Sequence, residues 1–172
     1  MERRGWRSTA TKIIALDGLL PGLAQRRRAG ERVALTNGSF DLLHVGHLRS
    51  LEQARSLADV LVVGVNSDAS VRTYKSSDRP VLPQAERAEL LAGLTCVDYV
   101  VVFDEPTAER LVAAVRPEIY VKGADYAVKP IPEADVVRRF GGRVELISLE
   151  AGRSTSGLIQ EIVERYGPTK QA

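Results

Sequence analysis

The chain has 172 residues, 44% of them hydrophobic and 27% charged, which suits one soluble globular domain with a substantial core. Its longest apolar run, Val60 to Val65, is strand-sized and far short of the ~20 residues of a membrane span. A single cysteine, Cys96, excludes an internal disulfide framework or a thiol cluster and points to a reducing, cytoplasmic setting.

The formal net charge of +2 is unevenly spread, because residues 1–28 hold seven Lys/Arg against two Asp/Glu. No aromatic residues interleave the run Arg26-Arg27-Arg28, which favours a solvated helix face over a nucleic-acid arm. The first dozen residues also lack the apolar stretch of a secretory signal.

In chain order, residues 1–11 read as a loose tail. Ile14, Leu16, Leu19, Leu20 and Leu23 then predict a helical segment over Thr11–Ala29, interrupted or restarted at Pro21. Residues 1–29 are thus expected to form a tail and helical extension, and 30–172 the main domain. Arg32–Thr36 is a short β-branched run. Gly46–Leu57 is helical, with Leu48, Leu51 and Ala54 on one face. Asp59–Asn66 is apolar without alternation, as a strand covered on both faces should be. A polar stretch from Ser67 to Pro83 carries no predicted element. Helices are expected at Gln84–Leu94, Thr107–Val115, Ile131–Phe140 and Ser154–Tyr166, and strands at Asp98–Phe103, Glu118–Lys122 and Arg143–Ser148. Five strands alternating with helices predict an α/β domain with a mainly parallel sheet and helices on both faces. In such sheets ligands bind beyond the carboxyl ends of the strands, where strand order reverses. The rule directs attention to residues 37–47, 66–79 and 122–126 and to the loop before Ser154.

The richest of these stretches is Asn37-Gly38-Ser39-Phe40-Asp41-Leu42-Leu43-His44-Val45-Gly46-His47. It follows the first strand, opens the first helix of the domain, and holds both histidines of the chain. A helix start offers free N–H groups and the positive end of a dipole, so imidazole donors added there suit an anion such as phosphate. Gly46 lets that anion approach the backbone. Two histidines alone fall short of a zinc set, and the stretch has no G-x-G-x-x-G dinucleotide fingerprint. Satisfied structural histidines remain the competing reading.

H-x-G-H after a strand ending in G-x-F-D resembles the signature of the cytidylyltransferase-like nucleotidyltransferases. The likeness continues through Val65-Asn66-Ser67-Asp68, Lys75, Arg79-Pro80-Val81, the Arg87 helix, Val121-Lys122-Gly123-Ala124-Asp125-Tyr126 and Ser154-Thr155-Ser156. Together these are similar to the D-glycero-β-D-manno-heptose 1-phosphate adenylyltransferases, over about residues 30–165. With no room for a sugar-kinase domain, the stand-alone form is implied. The implied fold is Rossmann-like, a five-stranded sheet with helices on both faces.

The resemblance implies transfer of AMP from ATP, with Mg²⁺ held mainly by substrate phosphates, to a sugar 1-phosphate, with no nucleic acid or membrane as partner; a homodimer is left open. It implies catalytic roles for His44, His47 and Lys75. Nucleotide contacts would come from Asn37, Gly38, Ser39, Phe40, Asp41, Gly46, Arg87, Lys122, Gly123, Asp125, Ser154, Thr155 and Ser156. Acceptor contacts would come from Asn66, Asp68, Lys75 and Arg79. Read from chemistry alone, Arg87 fits a surface ion pair as well as a phosphate contact, and Ser154 fits a helix cap. Asp41 suits an N-cap, a histidine-orienting role, or a place near metal-bound phosphates. Ser76 and Ala124 stand where the family more often has glycine, and Arg153 adds a charge the subgroup often lacks. The alternatives are a CTP-dependent polyol- or sugar-phosphate cytidylyltransferase, an FAD synthetase-like enzyme, and a non-catalytic nucleotide-binding module.

Overall fold

A computed structural model of the protein describes residues 7–123, 130–148 and 154–167. Five strands form one sheet: β1 (Val33–Gly38), β2 (Val60–Asn66), β3 (Tyr99–Phe103), β4 (Ile119–Gly123) and β5 (Arg143–Ile147). Their order is β3-β2-β1-β4-β5, and every pairing is parallel. Between them run α1 (Leu16–Arg28), α2 (Val45–Ser56), α3 (Asp68–Tyr74), α4 (Gln84–Gly93), α5 (Glu109–Val115), α6 (Ala134–Arg139) and α7 (Thr155–Tyr166).

The pleat sorts the strand residues into two cores. Val33 and Leu35, Val60 and Val62, and Tyr120 face α1, α5 and α6, where they meet Leu19, Leu23, Leu111, Val112 and Val137. Ala34, Leu61, Val63, Val65, Ile119 and Val121 face α2 and α4, against Leu51, Ala54, Ala88 and Leu91. Burial on both faces is why β2 reads as an unbroken apolar run. Gly64 is the one gap in that run, and it is needed. A Cβ there would sit 2.5 Å from Leu111 Cδ2, so glycine lets α5 lie close against the strand.

The structure differs from the sequence reading at both ends of the first thirty residues. A short 3₁₀ turn spans Thr9–Thr11, and residues 12–14 extend along the sheet edge instead of forming helix. Ile13 bridges Val100 in parallel, Ile14 N–H donates to the Val100 carbonyl (3.0 Å), and Val100 N–H donates to the Lys12 carbonyl (2.8 Å). The exposed edge of β3 is thereby covered. The helix starts only at Leu16 and runs through Pro21 without a break. Pro21 lacks the N–H that would bond the Asp17 carbonyl, but burial of Leu19 and Leu23, each 1% exposed, outweighs one lost hydrogen bond. This helix belongs to the core of the domain.

Nor is the Arg26-Arg27-Arg28 run a freely solvated face. Arg26 pairs with Glu31 (2.9 Å), while Arg27 pairs with Glu118 (2.8 Å) and donates to the Val115 and Arg116 carbonyls. Glu118 in turn accepts from Val33 N–H (2.8 Å), which ties α1 to the entry of β1.

The stretch Ser67–Pro83, read as irregular, contains α3. Ser67 caps it, accepting from Ser70 N–H (3.2 Å), and Asp68 lies in its first turn, where the helix dipole favours a carboxylate. With only Val71 as a buried apolar residue, the helix carries almost no periodic signal.

If α1 is integral to the core, Leu23→Ala is expected to cost about 2–5 kcal/mol of stability. Urea unfolding followed by circular dichroism measures this directly, and the loss should appear as a lowered midpoint with an unchanged m-value.

Candidate active site

Strand order reverses between β1 and β4, and a cavity of about 660 Å³ opens at their carboxyl ends. Asn37, Gly38, Ser39, Phe40, His47, Asn66, Lys75, Lys122 and Gly123 line it, residues drawn from four separated segments. The structure therefore brings nine of the nineteen residues expected from sequence onto one wall, and His44 lies beside that wall and not in it.

The turn after β1 is shaped by one left-handed residue. Phe40 holds φ at 46°, a conformation that costs a side-chain-bearing residue of order 1–3 kcal/mol. Its ring folds back over Gly38, where a Cβ would lie 3.3 Å from the ring, and its edge meets the His47 imidazole with centroids 5.4 Å apart. His44 then caps α2 through its ring, Nδ1 accepting from Gly46 N–H at 3.1 Å. A neutral imidazole accepting at Nδ1 carries its proton on Nε2, so His44 keeps an Nε2–H donor.

His44 and His47 stack with ring centroids 3.9 Å apart. His47 Nδ1 is buried without a hydrogen-bond partner among the described residues. Burial, then the neighbouring His44, then Lys75 push the His47 pKa from the usual 6.5 down to about 4, so at neutral pH the ring is an uncharged donor. Lys75 donates to Ser39 Oγ (3.1 Å); burial and the nearby Arg79 lower its pKa, with Asp41 opposing.

Behind the cavity lie four charged groups that sequence reasoning gave to ligands. Arg87, 0% exposed, donates to the carbonyls of Ser39, Leu82 (3.0 Å) and Asn66 (2.9 Å) and to Asp68 Oδ1 (2.7 Å). It is neither a surface ion pair nor a group presented to the cavity. Its guanidinium is spent on holding the loop after β1, the end of β2 and the start of α4 together. Asp68, expected at the acceptor, is occupied by that arginine. Asp41, 1% exposed, accepts from Arg79 Nε (2.6 Å) and from the backbone N–H groups of Val81 and Leu82 (2.8 and 3.0 Å). It is therefore not the N-cap of α2, which is His44. Arg79 Nη2 is buried without a hydrogen-bond partner among the described residues.

Ser154 caps α7 through its hydroxyl, which accepts from Gly157 N–H at 3.0 Å. Neither it nor Thr155 or Ser156 lines the cavity. Arg153 and the Ala124-Asp125-Tyr126 segment lie outside the described residues. Among those that are described, no group of three or more His, Cys, Asp or Glu could hold a metal ion, and no helix is long and apolar enough to cross a membrane.

The far wall joins Asn37 and Lys122, both expected from sequence, to residues the sequence did not single out. Lys122 Nζ donates to Asn37 Oδ1 (3.0 Å), which also accepts from the Tyr120 hydroxyl (2.6 Å). Glu133 and Thr107 complete this wall with Pro106, Pro130 and Pro132. Glu133 was hidden inside a helix expected over Ile131–Phe140. The helix begins only at Ala134, and the Pro-Glu step before it was the available signal for a break.

Imidazole donors at a helix start, on the switch point of a parallel sheet, form an arrangement suited to the phosphates of a nucleotide. Residues 35–156 match the model of the cytidylyltransferase-like family, and the chain belongs to that family of nucleotidyltransferases. It is 49% identical over 156 residues to the bifunctional protein HldE of Geobacter metallireducens, covering 91% of this chain and 32% of that protein. It is 51% identical to the HldE of Syntrophotalea carbinolica over the same length and shares. The chain thus spans about a third of the length of these relatives. Among solved structures, it is similar to a lipopolysaccharide core biosynthesis protein from Thermoplasma volcanium, with TM-score 0.59 and 26% identity over 70% of this chain and 98% of that one.

Two outcomes test the site's architecture. The unfolded chain binds a proton at its histidine near pH 6.5 while the folded His47 resists until about 4, so stability falls as pH drops through that window. Melting temperatures of wild type and His47→Gln across pH 4–7 should therefore converge as the pH falls. Arg87→Ala strands a carboxylate and three carbonyls, and is expected to cost about 3–5 kcal/mol in chemical denaturation.

Proposed function

We propose that this chain transfers AMP from ATP to D-glycero-β-D-manno-heptose 1-phosphate, yielding ADP-heptose and pyrophosphate. The observation that carries the reading is the stacked His44–His47 pair at the start of α2, its His47 ring uncharged at neutral pH, beside Lys75. The acceptor is read from V-N-S-D and K-G-A-D-Y, and half-identity to the HldE proteins over 91% of the chain fits it.

The chemistry asks little of the protein beyond placement. An acceptor phosphate oxygen, already ionised at neutral pH, attacks the α-phosphorus in line and the bond to pyrophosphate breaks. No general base or covalent nucleophile is needed. The chain's task is to hold two anions together and to stabilise the charge gathering on the α-phosphate and the leaving group. His44 and His47 supply N–H donors, and Lys75 supplies the cation. Mg²⁺ enters as part of the nucleotide substrate, leaning on phosphates and water.

A matrix of ATP and CTP against sugar 1-phosphates, glycerol 3-phosphate and FMN, read by pyrophosphate release, tests the assignment. ATP with the heptose 1-phosphate should be the preferred pair. A strong preference for CTP, or for another acceptor, would overturn it, and no turnover at all would leave a nucleotide-binding module. In the active pair, His47→Ala should lower kcat by about 10²–10³-fold while circular dichroism stays unchanged.

A further inference from the structure

Glu133 has no part in anion handling, yet it lies on the cavity wall. It is 3% exposed, with Oε1 accepting from Ala108 N–H at 2.9 Å. Its second oxygen, Oε2, is buried without a hydrogen-bond partner among the described residues. A buried carboxylate oxygen left unpaired costs free energy, and such groups in native proteins are matched by something. Lys122 Nζ lies 4.0 Å from Oε1, and Lys122 is itself 7% exposed. That separation is too long for a direct hydrogen bond.

Three kinds of ligand group can be weighed against this corner. A phosphate would meet a carboxylate at close range and be repelled. An amino group of a base can only donate, so the Lys122 ammonium opposes it. A hydroxyl does both, accepting from the ammonium while donating to the carboxylate. We infer that Glu133, paired across the cavity wall with Lys122, is a specificity-determining residue that accepts a hydrogen bond from a substrate hydroxyl. The inference rests on the proposed function, whose substrates offer two sources of that chemistry, the ribose of ATP and the sugar of the acceptor.

The test is a set of steady-state measurements on wild type, Glu133→Gln and Glu133→Asp. Glutamine keeps an oxygen for Ala108 N–H, and aspartate keeps the charge but shortens the reach, so melting temperatures show that both remain folded. Each protein is assayed with ATP, 2′-deoxy-ATP, 3′-deoxy-ATP, the sugar 1-phosphate, and its analogues lacking one hydroxyl at a time. Both variants should lose about 10–100-fold in kcat/KM on the complete substrates, the worth of one charge-assisted hydrogen bond. On one deoxy compound the penalty should vanish, because wild type has lost the same contact. If that compound is a deoxy-ATP, the hydroxyl is the ribose's; if a deoxy sugar, it is the acceptor's. An equal penalty on every compound, or none on the complete substrates, would overturn the inference alone. Failure of the wild type to turn over any sugar 1-phosphate would overturn the proposed function and this inference with it.

Discussion

The buried guanidinium of Arg87 is the interaction on which the functional end of this molecule depends. Taking a cation out of water is tolerated only when its donors are well matched, and here they meet three carbonyls and a carboxylate. Those acceptors belong to Ser39, Asn66, Leu82 and Asp68, which sit in the turn after β1, the end of β2, the entry to α4 and the start of α3. A charge that must keep all four partners leaves these segments little freedom to shift relative to one another. Asp41 does the reciprocal job with opposite sign, since its buried carboxylate gathers Arg79 and two backbone N–H groups from the loop before α4. The two devices turn otherwise irregular loops into a wall on which Ser39, Lys75 and His47 keep fixed places.

This division of labour separates charges that hold from charges that work. Arg87 and Asp41 have their hydrogen-bonding capacity filled inside the protein. Lys75 and His47 are pushed toward neutrality, first by burial and then by neighbouring groups. The cost of that positive surplus is recovered when an anion enters and its charge is shared among neighbouring donors. Across the cavity the sign changes, because Glu133 brings a carboxylate to the wall at Lys122. A ligand with an anionic end and a hydroxyl-bearing end has its orientation set by that polarity before any shape is considered.

The architecture was legible because its signals are long and periodic. An apolar run such as Val60–Asn66 between helical patterns can hardly be anything but a doubly covered parallel strand. The Asn37–His47 turn was legible for another reason: it concentrates both histidines of the chain where a helix begins. What stayed hidden depends on contacts distant in sequence. Arg87 sits between glutamates on a helix that reads as solvated, and only the packing of α4 against β2 and β3 puts it in the interior. The helix α3 is held by a serine cap and one buried valine, too little to mark a period. Residues 12–14 form an edge bridge because β3 offers an unpaired backbone, a demand local propensity does not carry.

The lowered His47 pKa has a consequence for how such a site completes a cycle. A permanently charged imidazolium would bind the triphosphate tightly, but it would bind the departing pyrophosphate at least as well. Binding that is equally strong before and after the barrier does not accelerate the chemical step. A neutral ring with a pKa near 4 offers its N–H to any phosphate oxygen, yet gains most when negative charge on that oxygen peaks. Stacking at 3.9 Å extends the argument to the pair, since a proton taken up by one ring discourages a second on the other. Burial and pairing together keep His47 uncharged in the resting site. Fixed attraction for anions is left to Lys75, whose own charge is moderated by its surroundings.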